Sequence, residues 1–163
     1  MDTTIVIYGS STGTCEAIAE KIASKLGCKA LNVQDLTADI GAANKKLILG
    51  TSTWGAGEMQ DDWYDGLKML QAADLSGKTI ALFGCGDCST YSDTFVGGMG
   101  ELYNGIKDSG AKFVGSVETD GYTFDDSEAV INGKFVGLPL DDINEDDKTD
   151  TRIEAWLAAL PLI

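Results

Sequence analysis

Thr4-Ile5-Val6-Ile7-Tyr8-Gly9-Ser10-Ser11-Thr12-Gly13-Thr14-Cys15 decides the fold. Its first five residues are apolar or β-branched with no polar alternation, as in a strand buried on both faces. Small polar residues follow. Ile18, Ile22 and Leu26 then recur at helical spacing, flanked by Ala19 and Ala23, and Gly27 stands where a helix stops. The strand–loop–helix unit repeats downstream. Lys29–Val33, Leu47–Gly50, Ile80–Gly84 and Phe113–Val117 read as four further strands. Trp63, Leu67 and Leu70 space one intervening helix. Phe95, Met99, Leu102, Tyr103 and Ile106 space another, weakened by Gly97, Gly98, Gly100 and Gly105. Ile153, Trp156, Leu157 and Leu160 mark a final helix, with Thr149 or Asp150 as N-cap. Strands alternating with helices and apolar on both faces indicate an α/β fold, a parallel sheet with helices on both faces, and five strands suggest the doubly wound order 2-1-3-4-5. Such sheets bind ligands beyond the carboxyl ends of their strands where the order reverses, here at strands one and three.

Composition narrows the function. The chain has 163 residues, 26 acids and 12 bases, a net charge of −14 and no His. Triad, Cys-His and His-ligated metal chemistries are therefore absent. A sequence pI near 4.1 and a single arginine, Arg152, give no basic footprint for nucleic acid. No apolar run approaches membrane-spanning length, and the start Met1-Asp2-Thr3-Thr4 lacks the basic opening of a secretory signal, so a cytoplasmic protein with no membrane partner is expected. Cys15, Cys28, Cys85 and Cys88 then read as thiols. Only Cys85 and Cys88 form a C-x-x-C pair, and no second pair answers it, so no metal site is expected. The length suits one domain, 1–163. Residues 119–134 read as an insertion that interrupts the last strand, which resumes at Phe135-Val136-Gly137-Leu138. The run Asp141, Asp142, Glu145, Asp146 and Asp147 reads as a solvated loop.

Three loops reach the binding edge. Ser10, Ser11, Thr12, Gly13, Thr14 and Cys15 offer hydroxyls and the amides of a helix start, an anion site without a Lys. Capping of the helix by these Ser and Thr residues is the competing reading. The second loop is Thr51-Ser52-Thr53-Trp54-Gly55-Ala56-Gly57-Glu58. The third runs Gly84-Cys85-Gly86-Asp87-Cys88-Ser89-Thr90-Tyr91. Each carries one aromatic among small residues, and Trp54 and Tyr91 are placed to clamp a flat ring. The glycines of the third loop suit close backbone approach to a ligand better than a redox C-x-x-C.

These three ordered motifs, spanning essentially the whole chain, resemble the flavodoxins, small FMN-carrying electron-transfer proteins, and the 119–134 segment resembles the long-chain subgroup. The family usually has Thr where this chain has Cys15; a thiol is a weak donor, so contact there falls to the backbone. The resemblance implies non-covalent FMN, with phosphate on Ser10 to Cys15, ribityl chain past Thr51 to Thr53, isoalloxazine between Trp54 and Tyr91, and pyrimidine edge on the backbone of Cys85 to Asp87, with Gly84 also in the cofactor-binding set. It implies that the peptide after Trp54 flips on reduction, turning the Gly55 carbonyl toward the ring.

It further implies a low-potential one-electron carrier, not an enzyme and without catalytic residues, that shuttles between semiquinone and hydroquinone. One acid about 10 Å from the anionic hydroquinone costs roughly 0.4–1.7 kcal/mol for effective dielectrics of 80 to 20, and Glu58, Asp61, Asp62, Asp65 and Asp93 are near candidates. The implied partners are basic-faced redox proteins, such as a flavodoxin reductase and an electron-accepting enzyme, which an acidic rim steers toward a monomer. The alternative is an FMN-dependent NAD(P)H:quinone reductase or nitroreductase of similar fold.

Overall fold

In a computed structural model, which describes residues 4–11, 13–54 and 57–160, the elements run in the anticipated alternation. They are β1 (Thr4–Gly9), α1 (Thr14–Leu26), β2 (Lys29–Asn32), α2 (Ala38–Ala43), β3 (Lys46–Trp54), β4 (Glu58–Met59), α3 (Asp62–Ala72) and β5 (Thr79–Cys85). After these come α4 (Gly97–Ile106), β6 (Lys112–Val114), β7 (Val117–Glu118), β8 (Val130–Ile131), β9 (Lys134–Phe135), β10 (Leu138–Leu140) and α5 (Asp146–Ala159).

β2, β1, β3 and β5 lie side by side in that order, all parallel. The fifth place is shared. β6 pairs with Thr79 to Ala81 of β5, and β10 with Phe83 to Cys85 of the same strand. Between β6 and β10 the chain leaves the sheet and forms a small antiparallel patch, β7-β9-β8. The resumed strand is therefore Leu138–Leu140, three residues later than the apolar run suggests. Phe135 belongs to the patch instead, where its ring packs on Phe95, Tyr122 and Phe124. Arg152 staples this segment to α5: it pairs with Glu145 at 3.1 Å, donates to the Gly121 carbonyl at 3.0 Å and lies 4.0 Å over the Tyr122 ring.

Alternation along each strand feeds two cores. Ile5, Ile7, Leu47, Leu49, Ile80 and Leu82 pack on Trp63, Leu67, Met99 and Leu102 of α3 and α4. Val6, Tyr8, Ile48, Ala81 and Phe83 pack on Ile18, Ile22, Ile153 and Trp156 of α1 and α5. Helices thus cover both faces. The glycines of α4, which weaken its helical pattern, are sites of close approach. A Cβ on Gly97 falls 2.7 Å from the Gly57 carbonyl oxygen, and one on Gly98 falls 2.7 Å from that of Ser52. Only glycine lets the start of α4 touch the backbone at the end of β3 and just after it. α5 begins a turn earlier than expected, with Glu145 as N-cap. Thr149 is inside it, buried, its hydroxyl donated to Asp142. Among the described residues, no helix is long and apolar enough to cross a membrane.

Candidate functional site

The carboxyl ends of β3 and β5 and the start of α1 open on one cavity of about 220 Å³. Of the residues expected to bind a cofactor, Thr14, Ser52, Thr53, Trp54, Cys85, Gly86, Asp87 and Tyr91 line it. Trp54 and Tyr91 belong to different loops yet meet at the same opening. Both stay exposed, at 42% and 53%, although aromatics of their size normally pack away. The Trp54 indole is steered by its N–H, which donates to the Ser52 hydroxyl at 2.8 Å. Thr53 is held by the Gly98 amide, which donates to its hydroxyl at 3.1 Å.

Beside the cavity, α1 starts at a Gly13 N-cap with φ 92°, a left-handed conformation that suits glycine, and among the described residues no side chain caps the helix. The N-cap position is taken by Gly13 and not by a Ser or Thr among the described residues. Ser10 instead takes the Gly13 amide, at 3.1 Å, and Ser11 accepts from Gln60 Nε2, at 3.1 Å. The positive end of α1 faces outward beside hydroxyls, with no lysine or arginine lining the cavity. Thr12 and Gly55, both expected to bind, lie outside the described residues, as does the peptide expected to flip.

Two expected contacts, Thr51 and Gly84, are placed differently, and the Cys15 side chain turns inward, leaving only its backbone for the expected contact. Thr51 is fully buried; its hydroxyl accepts from the Gln60 amide at 3.0 Å and donates to the Ser52 carbonyl at 2.9 Å, so it faces the protein and does not line the cavity. β3 alternates its side chains, and the one turned inward serves the loop that follows. Gly84 lies buried against Met99, one residue short of the opening. Cys15 is wholly buried, its thiol hydrogen-bonded to that of Cys85. That bond, with burial, pushes the Cys15 thiol well above its usual range. The Cys15 thiol is thus not poised as a nucleophile.

Four lining residues were not anticipated: Thr94, Val96, Asp142 and Ile143. Val96 sits at φ 45°, a rare conformation for a β-branched residue, where the loop turns into α4. Nothing in an isolated sequence marks that strain. Asp142 and Ile143 belong to the acidic run taken as solvated, a reading that fails at its first member. Asp141 is fully buried, and its carboxylate accepts from the amides of Cys88, Ile143 and Asn144 at 2.9–3.0 Å. Burial opposes its ionisation, but the hydrogen bonds led by the Cys88 amide prevail and hold it below the usual carboxylate range. Burial, with Asp141 beside it, pushes the Cys88 thiol up to about 11. The signal available was spacing: the run starts where the strand beside the third loop ends. Asp87 and Asp142 are the charged residues lining the cavity.

The model of the flavodoxin family matches residues 6–156. Flavodoxin 1 of Azotobacter vinelandii is 49% identical over 162 residues, 95% of this chain and 93% of the relative. The flavodoxin of Helicobacter pylori is 44% identical, across 93% and 92%. Among solved structures, Fusobacterium nucleatum flavodoxin bound to flavin mononucleotide superposes with a TM-score of 0.89 at 34% identity, covering 97% of this chain and 96% of that one. With a family match over nearly its full length and relatives this similar across almost all of theirs, the chain belongs to the flavodoxin family.

Proposed function

We propose that the chain is a low-potential one-electron carrier built on non-covalently bound FMN, and not an enzyme. The observation that carries this reading is a helix start at Gly13, with no side-chain cap among the described residues, beside two exposed aromatics at one cavity mouth. The donor set fits the cofactor. The α1 amides with Ser10, Ser11, Thr14 and the Cys15 backbone suit a phosphate that is held, not transferred, since no lysine is there to stabilise a leaving charge. Ser52 and Thr53 offer hydroxyls to the ribityl chain, and Trp54 and Tyr91 offer ring faces. The backbone of Cys85 to Asp87 offers amides and carbonyls to the pyrimidine edge. FMN, when bound, supplies reversible one-electron chemistry. The protein excludes water with the two aromatics and sets the cost of added negative charge. That cost is high: the net charge is −14, Asp87 and Asp142 line the cavity, and no base does.

Arg152, the only arginine, is engaged with Glu145 and Gly121, which argues against a nicotinamide-phosphate site and hence against the reductase alternative. We also place the chain as one FMN-binding unit in which 119–134 is an insertion. The support is that β6 and β10 continue one another along β5. Exposed Glu58, Asp61, Asp65 and Asp93 suit docking to basic-faced partners, a reductase and an electron acceptor, with the protein acting as a monomer. Four free cysteines suit a reducing cytoplasm.

The test is a titration of the apoprotein with FMN. Stoichiometric quenching of flavin fluorescence, and a second one-electron potential far below that of free FMN, are expected. A chain that quenches nothing refutes the proposal, and rapid NADPH oxidation by the loaded protein alone refutes the non-enzymatic reading. Electron transfer to a basic partner should slow as salt rises; salt-independent rates refute the docking rim.

A further inference from the structure

The cavity has two walls that are distant in sequence. One is the turn 86–91, which carries Tyr91. The other is the turn 141–144 after β10, which carries Ile143, a side chain 71% exposed. Their contact is an organised hydrogen-bond relay. The Asp141 carboxylate takes the Ile143 amide at 3.0 Å and the Asn144 amide at 2.9 Å on Oδ1, fixing its own turn. Its Oδ2 reaches across to the Cys88 amide at 2.9 Å and also takes Asn144 Nδ2 at 2.9 Å. Asn144 Nδ2 donates as well to Asp87 Oδ1 at 2.7 Å. That same Asp87 oxygen receives the amides of Ser89 at 3.1 Å and Thr90 at 3.0 Å, and the Asp87 carbonyl receives the Tyr91 amide at 3.0 Å. A backbone bond from the Gly86 amide to the Leu140 carbonyl, at 2.9 Å, runs alongside.

A buried carboxylate is costly unless its acceptor capacity is filled. Here it is filled by donors from both walls, so the walls are held together by the requirement that this one group stay satisfied. We infer that Asp141 is a positioning residue of the site, fixing the Tyr91 wall against the Ile143 wall through Asn144 and Asp87. The inference deepens the proposed FMN reading and rests on it for its ligand. It also assigns Asn144, an exposed residue outside the cavity lining, a role in shaping the cavity. Asn144 is the bridge that can be cut most cleanly, because its removal leaves the buried carboxylate three amide donors.

The experiment compares the parent with Asn144→Ala, Asp141→Asn and a control, Ile106→Val, which trims a buried methyl group at the far end of α4. In the apoprotein, amide exchange at Ser89 and Thr90 is measured against amides of β1. In the FMN titration, Kd is read from fluorescence quenching. Asn144→Ala is expected to accelerate exchange at Ser89 and Thr90 and to raise Kd about three- to tenfold, the size of one hydrogen bond to a charged group at a partly exposed site. Its melting temperature should fall no more than that of Ile106→Val, which should leave Kd within about twofold of the parent. Asp141→Asn turns an amide donor toward donors and is expected to do more on both readouts. In a double-mutant cycle, Asn144→Ala and Asp87→Ala should be less than additive, since each removes the same link. The inference is overturned if Asn144→Ala leaves exchange and Kd unchanged, if Ile106→Val weakens FMN binding as much, or if the pair is additive. Should the parent bind no FMN, the functional reading fails, and exchange at Ser89 and Thr90 still decides the relay.

Discussion

Replacing Thr51 by Val separates a residue that supports the site from one that touches the ligand. Thr51 is fully buried, and its hydroxyl satisfies the Gln60 amide at 3.0 Å. Valine has nearly the same shape and no acceptor, so the buried Gln60 N–H loses its partner. Leaving such a group unpaired costs about 1–3 kcal/mol. The new methyl group returns up to about 0.8 kcal/mol. The balance is a destabilisation of about 0.2–2.2 kcal/mol, or a melting point lower by up to about 9 °C for a chain of this size. Urea unfolding of the apoprotein reads it directly, and an unchanged m-value would show that the shifted midpoint is a change in stability. Because the hydroxyl faces Gln60 and not the cavity, the affinity of the folded variant for FMN should stay within about threefold of the parent. A variant as stable as the parent but tenfold weaker for FMN would refute the reasoning and return Thr51 to the ribityl contact set that its place in the second loop suggests.

Trp54→Ala and Tyr91→Ala should each weaken FMN binding by about 5- to 150-fold, from a stacking contribution of about 1–3 kcal/mol per ring, with little change in apoprotein stability because both rings are exposed. Quenching titration and urea unfolding check the two halves. Gly98→Ala should destabilise by about 1–3 kcal/mol, because its Cβ would sit 2.7 Å from the Ser52 carbonyl and 3.0 Å from Met59 Cα, backbone atoms that cannot step aside. A thermal melt equal to the parent would refute that packing. Stability should also fall in acid. Asp141, Asp87 and Glu145 all have carboxyls held below their ordinary values. The unfolded chain therefore takes up protons first, and their contribution is intact above about pH 5 and is lost as pH falls through the depressed native values. Asp141→Asn should flatten that acid limb in urea melts run between about pH 5 and about pH 3, and an unchanged slope would count against the buried carboxylate.

The alternation of apolar strands and amphipathic helices determined the class of the sheet and its parallel sense. Those follow from periodicity and the handedness of crossover connections, which act over a few tens of residues. The hydroxyl loop and the two aromatics were legible for the same reason: small polar residues and an unburied ring at a strand end have few structural uses. Tertiary structure alone decided which members of each motif point outward. Thr51, Gly84 and Cys15 carry the composition of ligand contacts, yet strand alternation and helix phase turn them into the protein. The acidic run after β10 shows the converse. By composition Asp141 belongs with its solvated neighbours. It is buried because β10 completes the last strand beside β5, which brings the turn after β10 against the amide of Cys88. Charge patterning is a property of neighbours in sequence, whereas the desolvation of one carboxylate depends on what a distant strand places beside it, and only the assembled sheet supplies that.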